Sequence, residues 1–164
     1  MLLLSCDSNF SFNTFSGKEK IALPANCVLI FVNVDCPICQ KYQGVFKSMN
    51  FDSSPVYYVF PGKQDKQMIK EMCLYDSINY DFVIIDSSFK LTKYLKATVS
   101  PQAIIRHNSQ IVYQGLIDDR FTSIGTSKPF ASINYIENAL NSLHKNEAIK
   151  IPYTKAVGCF IEPN

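Results

Sequence analysis

Hydrophobic positions along the chain fall into short unbroken runs separated by helical stripes. Val28-Leu29-Ile30-Phe31-Val32 is a continuous apolar run rich in β-branched residues, the pattern of a central strand covered on both faces. From Pro37 onward, Ile38, Tyr42, Val45, Phe46 and Met49 draw one apolar stripe, while Gln40, Lys41, Gln43 and Lys47 take the opposite face. This predicts a helix running to near Asn50. Val56-Tyr57-Tyr58-Val59-Phe60 reads as a second strand stopped by Pro61-Gly62, and Met68, Ile69, Met72 and Cys73 mark a second amphipathic helix. Phe82-Val83-Ile84-Ile85 is a short further strand, and Leu91, Tyr94 and Leu95 suggest a small helix after it. Ala103-Ile104-Ile105 and Ile111-Val112-Tyr113, with Asn108-Ser109 between them, have the form of an antiparallel hairpin. A last helix is expected from near Pro129, carrying Ile133, Ile136, Leu140 and Leu143 on one face, and residues 145–164 are expected to run over the surface as an ordered tail. Upstream, Phe10, Phe12, Phe15, Ile21 and Leu23 around Ser16-Gly17 read as a short N-terminal hairpin.

Composition narrows the classes. The chain has 164 residues, 47% of them hydrophobic, which suits one compact domain. A formal net charge of +2 with dispersed Lys gives a nucleic-acid backbone nothing to grip, so no nucleic-acid partner is expected. No run approaches the roughly 18 to 20 apolar residues that a membrane helix needs. Met1-Leu2-Leu3-Leu4-Ser5-Cys6 resembles the end of a bacterial lipoprotein signal, although the apolar segment is shorter than a complete signal requires. Cys6 is therefore a candidate lipidation site, with an incidental Cys in a frayed end as the alternative. Residues 1–9 are set apart as a tail and 10–164 as the domain.

Six Cys are too few for a small disulfide scaffold, but two of them form Cys36-Pro37-Ile38-Cys39 between a buried strand and a helix. In that place Cys36 caps the helix and Cys39 lies one turn on, along the same face. Free N–H groups and the helix dipole stabilise a thiolate at Cys36, moving its pKa from about 8.5 toward the range of roughly 3.5 to 7.5. Pro37 suits the first helical position. Cys36 is thus the expected nucleophile, and Cys39, more buried and nearer its ordinary pKa, the thiol that resolves the mixed disulfide. Asp35 opposes the thiolate. A zinc site would need a second ligand pair, and His107 and His144 are not at ligand spacing, so no metal site is expected. Covalent haem would need His where Gln40 stands. Cu(I) capture by the thiol pair and a purely structural disulfide remain as alternatives.

Thr98-Val99-Ser100-Pro101 precedes the hairpin, and Pro at a strand entrance marks an edge, a bulge or a cis bond. Strand, Cys-x-x-Cys, helix, strand, helix, then Pro entering a hairpin and a closing helix, resembles the thioredoxin fold. That likeness implies an α/β three-layer sandwich with a central mixed sheet, here with an N-terminal hairpin extension. It also implies that Pro101 is cis and faces the Cys pair, and that the backbone of Ser100 is free to pair with an extended substrate. More narrowly, Asp35 to Tyr42, Phe60-Pro61-Gly62, Thr98 to Pro101, Val112 to Gly115 with Asp118-Asp119-Arg120, and Thr154 to Cys159 resemble the redoxin branch of the alkyl hydroperoxide reductase/thiol-specific antioxidant superfamily. The resemblance implies a thiol-disulfide oxidoreductase with no cofactor, outside the bacterial cytoplasm, in the periplasm or as an anchored lipoprotein. Its implied partners are protein disulfides or dithiols and an upstream redox protein. Cys36 and Cys39 would be catalytic, and Pro37, Ser100 and Pro101 would border the substrate. Asn33, where peroxiredoxins of the superfamily place Thr or Ser, disfavours peroxidase activity. Ile30 and Asp35 replace thioredoxin's buried Asp and its Trp, which leaves Cys39 without an obvious base; Asp86 or water are the alternatives. A non-catalytic module that holds a partner protein or Cu(I) in the same groove is the second reading.

Of the remaining residues, Cys27 and Cys73 are expected to be buried hydrophobes. Cys159 is expected to pack, with a second redox thiol or a partner for another Cys as alternatives. His107 and His144 are expected at the surface, Arg106 and Arg120 at solvated strand ends with one of them pinning a carboxylate or the tail as the alternative, and Asp118-Asp119 as a turn signal.

Overall fold

A computed structural model describes residues 11–17 and 21–162 of the chain. Phe10, the tail through residue 9 and Cys6 lie outside the described residues. Ser11–Phe12 (β1) pairs antiparallel with Ile21–Ala22 (β2), forming the expected N-terminal hairpin.

The five-stranded sheet is mixed. Cys27–Phe31 (β3) is flanked in parallel by Val56–Pro61 (β4), which is followed in parallel by Val83–Asp86 (β5) at the edge. On the other side β3 pairs antiparallel with Gln102–His107 (β7), and β7 with Gln110–Gly115 (β8). All five residues of β3 are buried, as its unbroken apolar run requires. Alternation then divides them. Val28 and Ile30 pack with Tyr42, Ile69, Met72, Ile136 and Leu140, whereas Leu29 and Phe31 pack with Phe12, Leu23, Leu91 and Leu95. Helices Pro37–Lys41 (α1), Lys66–Tyr75 (α2) and Tyr135–His144 (α4) therefore cover one face, and Lys90–Leu95 (α3) with the N-terminal hairpin covers the other. This is the expected three-layer arrangement.

The local signals that build these elements are specific. Asp65 caps α2 by accepting from the N–H of Gln67 (2.8 Å) and Met68 (3.0 Å). Asn108 and Ser109 both have positive φ (51° and 65°), the backbone of the primed two-residue turn that joins β7 to β8. Asp86 receives the N–H groups of Leu91 and Thr92 and the Thr92 hydroxyl, which ties the end of β5 to the start of α3.

Two helices differ from expectation. The stripe from Pro37 to Asn50 is not one helix: α1 ends at Lys41, and a separate 3₁₀ turn covers Phe46–Ser48. Gly44 (φ +81°) is left-handed there, and its N–H leaves the helical ladder to donate to Asp76 Oδ1 at 2.6 Å. Tyr42 and Phe46 still reach the core, which is why the stripe looks continuous. The last helix starts at Tyr135 rather than near Pro129, because Asp119 holds the preceding segment by accepting from Ser132 N (2.7 Å) and Ile133 N (2.9 Å).

Two short strands complete the molecule. Val99–Ser100 (β6) pairs antiparallel with Cys159–Phe160 (β9), so the tail does more than cross the surface.

Candidate active site

β3 delivers the chain to the motif through a tightly tied loop. The Gln64 side chain donates to the carbonyls of Val32 (3.3 Å) and Pro61 (2.9 Å) and accepts from Val34 N (2.9 Å). Asn33 turns the backbone by accepting from Asp35 N (2.8 Å) through its side chain and from Cys36 N (3.1 Å) through its carbonyl. Cys36 then stands at the N-cap of α1 (φ −82°, ψ 118°), with Pro37 as the first helical residue. Sequence reasoning expected this geometry.

The Ser100–Pro101 peptide is cis and lies against the motif. Gln102 shapes that loop by accepting from Thr98 N (2.9 Å) and Val99 N (3.4 Å). Cys36 Sγ is 3.2 Å from the Ser100 carbonyl oxygen. Ser100 and Pro101 are buried, Pro37 is exposed, and Cys36 and Cys39 have 1% and 0% of their surface accessible.

The two motif cysteines are not bonded to each other. Cys36 is joined to Cys159 across 123 residues of sequence, and Cys39 is a free, buried thiol. Cys159 is thus a partner for another Cys rather than simply a packing residue. In this disulfide Cys36 has no proton to give, so its approach to the Ser100 carbonyl is a sulfur–oxygen contact that becomes a hydrogen bond only when the thiol is restored. Burial pushes the Cys39 thiol up to about 12, opposed by the Asn33 N–H (3.5 Å) and the Ser100 hydroxyl. It is not near its ordinary pKa, because the interior penalises the thiolate more than two hydrogen bonds favour it. Asp86 is occupied at α3 and offers it no base.

The edge of β6 is likewise not free. Ser100 stands opposite Cys159, and Ile161 N donates to the Thr98 carbonyl at 2.9 Å. A cleft of about 610 Å³ opens beside the motif, lined by Asn33, Asp35, Gly62, Phe89, Phe160 and Glu162.

Several residues given minor roles are structural anchors of this region. Asp118 is buried and accepts from the Tyr42 hydroxyl (2.7 Å) and Arg120 N (2.9 Å), with the Arg120 guanidinium 3.4 Å away. Asp119 is buried beside Lys128, and that ion pair with the Ser132 and Ile133 N–H groups holds its carboxyl down at about 2. The Asp118-Asp119 pair is therefore more than a turn signal. Arg106 is buried too, its guanidinium donating to the carbonyls of Leu23, Pro24 and Ser109 rather than sitting in solvent. Cys27 and Cys73 are buried thiols as expected, raised by burial to about 11 and about 12. His144 is exposed and 3.2 Å from Asp52. The described residues contain no group of three or more metal-ligating side chains. Sequence reasoning missed Gln64, and it gave no role to Gly158, where a Cβ would overlap the Ser100 carbonyl group.

No protein-family model matches the sequence, and no curated protein matches it. Among solved structures the chain is similar to a hypothetical protein of Sinorhizobium meliloti 1021, with a TM-score of 0.70 and 15% identity over 94% of this chain and 91% of that one. It is similar to an uncharacterized conserved protein of Geobacillus kaustophilus, with a TM-score of 0.65 and 20% identity over 94% and 89%. It is also similar to a secreted Mycobacterium tuberculosis disulfide oxidoreductase homologous to E. coli DsbE, with a TM-score of 0.55 and 13% identity over 83% and 95%. These likenesses show the fold: the chain has a thioredoxin-like α/β sandwich.

Proposed function

We propose that this chain is a thiol-disulfide oxidoreductase that acts on protein disulfides or dithiols through Cys36. One observation carries the reading: Cys36 stands at a helix start, 3.2 Å from the carbonyl that precedes a cis-Pro, with its sulfur bonded to a second sulfur. Once Cys159 and its strand have moved off, a sulfur so placed comes within reach of an incoming disulfide, and the loop before Pro101 has backbone groups to hold it.

In the forward direction the Cys36 thiolate attacks a substrate sulfur. The substrate disulfide breaks, a Cys36–substrate disulfide forms, and the substrate's other sulfur leaves as a thiolate that takes up a proton. Cys39, one turn along α1, then attacks Cys36 Sγ, the Cys36–Cys39 bond forms, and the second substrate thiol departs. An upstream dithiol returns the pair to its reduced state. The first-turn N–H groups of α1 favour the Cys36 thiolate, although a helix of five residues lends only a short dipole. Pro37 lies exposed at the rim, and Ser100 and Pro101, buried while the tail is paired with β6, would form the wall against which the substrate lies once it is displaced.

The compartment fits this chemistry. Stable disulfides belong to oxidising surroundings, and the similar mycobacterial oxidoreductase is a secreted protein. Lipid attachment at Cys6 would place the domain on a membrane surface, and retention of a lipidated Cys6 peptide in the detergent phase checks this. Turnover tests the reading itself: the protein is expected to reduce insulin disulfides with dithiothreitol as donor, and Cys36→Ser to reduce none. Equal rates for the two would remove Cys36 from the reaction.

A further inference from the structure

The site that a substrate polypeptide would enter is already occupied by the chain's own tail. β9 lies antiparallel on the β6 edge with Cys159 opposite Ser100, Ile161 closes a backbone hydrogen bond to Thr98 (2.9 Å), and the sulfur that reaches Cys36 comes from Cys159. Backbone pairing to a strand edge and a sulfur bonded to Cys36 are the two kinds of contact that a disulfide-containing segment added at this edge would make, and residues 158–161 make both.

Gly158 explains how the tail approaches so closely. A Cβ there would overlap the Ser100 carbonyl group and crowd the Pro101 nitrogen, so any larger residue would lift the tail off the cis peptide. Upstream the tail is tied to β8 through Pro152 and Thr154, whereas the stretch that follows Gly158 pairs with β6 over only two residues. Cys159 is only half-buried, at the margin of the core, and Phe160 is 75% exposed. Clefts open on both sides of Phe160, one reaching Asn33 and Phe89, the other reaching Gln102 and Tyr153. With the tail in place, Cys36 is sealed to 1% exposure.

We propose that residues 158–161 are a tethered substrate, whose Cys36–Cys159 bond is an internal mixed disulfide that keeps the site closed until Cys39 displaces Cys159. The proposal rests on the oxidoreductase reading and adds a regulator to it. In the opening step the Cys39 thiol gives up its proton and its sulfur attacks Cys36 Sγ. The Cys36–Cys159 bond breaks as the Cys36–Cys39 bond forms, and Cys159 leaves as a thiolate that takes up a proton, with no net oxidation. Reclosing from three thiols needs a two-electron oxidant of the disulfide class, which is reduced to two thiols as Cys36 and Cys159 join. External substrates compete with the tail for the β6 edge, and those with a small residue before the reactive Cys, as in Gly158-Cys159, fit it best.

The test uses the full chain as wild type, Cys159→Ser and Gly158→Ala, oxidised, with disulfides mapped by peptide mass spectrometry and insulin reduction followed with dithiothreitol. Wild type is expected to show the Cys36–Cys159 peptide pair, and both variants to turn over insulin at least fivefold faster. Turnover by Cys159→Ser at or below the wild-type rate, or no Cys36–Cys159 pair in the oxidised wild type, would overturn the proposal. If no form reduces insulin, the oxidoreductase reading fails by itself. The tether is then decided by the rate at which dithiothreitol exposes Cys36 to alkylation: fivefold faster in Gly158→Ala than in wild type supports it, and equal rates refute it.

Discussion

Replacing Cys159 by Ser should lower the stability of the oxidised protein by an amount that the chain length between the bonded cysteines sets. A bridge across 123 residues removes loop-closure entropy from the unfolded chain worth about 5 kcal/mol at 25 °C. In the variant, Cys36 can pair only with its neighbour in the motif. That three-residue closure restricts the unfolded chain far less, and the difference between the two bridges is about 3 kcal/mol. For a chain of this size each kcal/mol moves the midpoint by roughly 2 to 4 °C, so oxidised Cys159→Ser should melt about 6 to 12 °C below oxidised wild type. Loss of the β6–β9 pairing acts in the same direction, since that pairing has only two residue pairs to hold it without the bond. The assay is thermal unfolding by far-ultraviolet circular dichroism, with and without dithiothreitol. Reduction should move wild type by the larger step and the variant by a small one. Coincident melting of the two oxidised proteins would mean that the Cys36–Cys159 link does not constrain the chain, and the argument from loop length would be wrong.

Two further expectations concern the anchors of the site. Burial raises the folded-state pKa of Cys27, Cys39 and Cys73 from 9.0 to about 11, about 12 and about 12, so the fold favours their neutral form. The stability this contributes is complete below about pH 9 and is lost as pH rises through 11 to 12; the urea midpoint should fall steadily from pH 9 upward and fall less in Cys73→Ala, and a midpoint level to pH 11 would contradict it. Tyr42→Phe removes the buried hydroxyl that donates to Asp118 at 2.7 Å, and should cost about 1.5 to 3 kcal/mol in urea unfolding; a change under about 0.5 kcal/mol would show that the bond is matched by water.

What could be read from the chain alone was local. The apolar run of β3, the Pro-marked start of α1, the Asn108-Ser109 turn and the Pro that proved cis all depend on residues within a few positions of one another. The errors came where a distant group decides. α1 ends early because Gly44 turns left-handed and its N–H finds Asp76, 32 positions away. Arg106 is buried because carbonyls of the segment before β3 curl around its guanidinium, and Asp118 because Tyr42 comes up beneath it. The bonding partner of Cys36 is the extreme case. Spacing within the motif favours Cys39, and nothing near Cys159 apart from an adjacent Gly shows that the tail returns to the cis-Pro loop as a strand. The same return explains why the backbone of Ser100, expected to be open to a substrate, is paired.

The claim that Cys36 is the nucleophile is tested most directly by trapping. In Cys39→Ser/Cys159→Ser neither neighbouring thiol can release a bound substrate, and Cys27 and Cys73 are buried. Incubating this reduced protein with a disulfide-bonded polypeptide and mapping the products by mass spectrometry should give one mixed disulfide, at Cys36. Absence of any adduct, or an adduct confined to Cys6, would contradict the account.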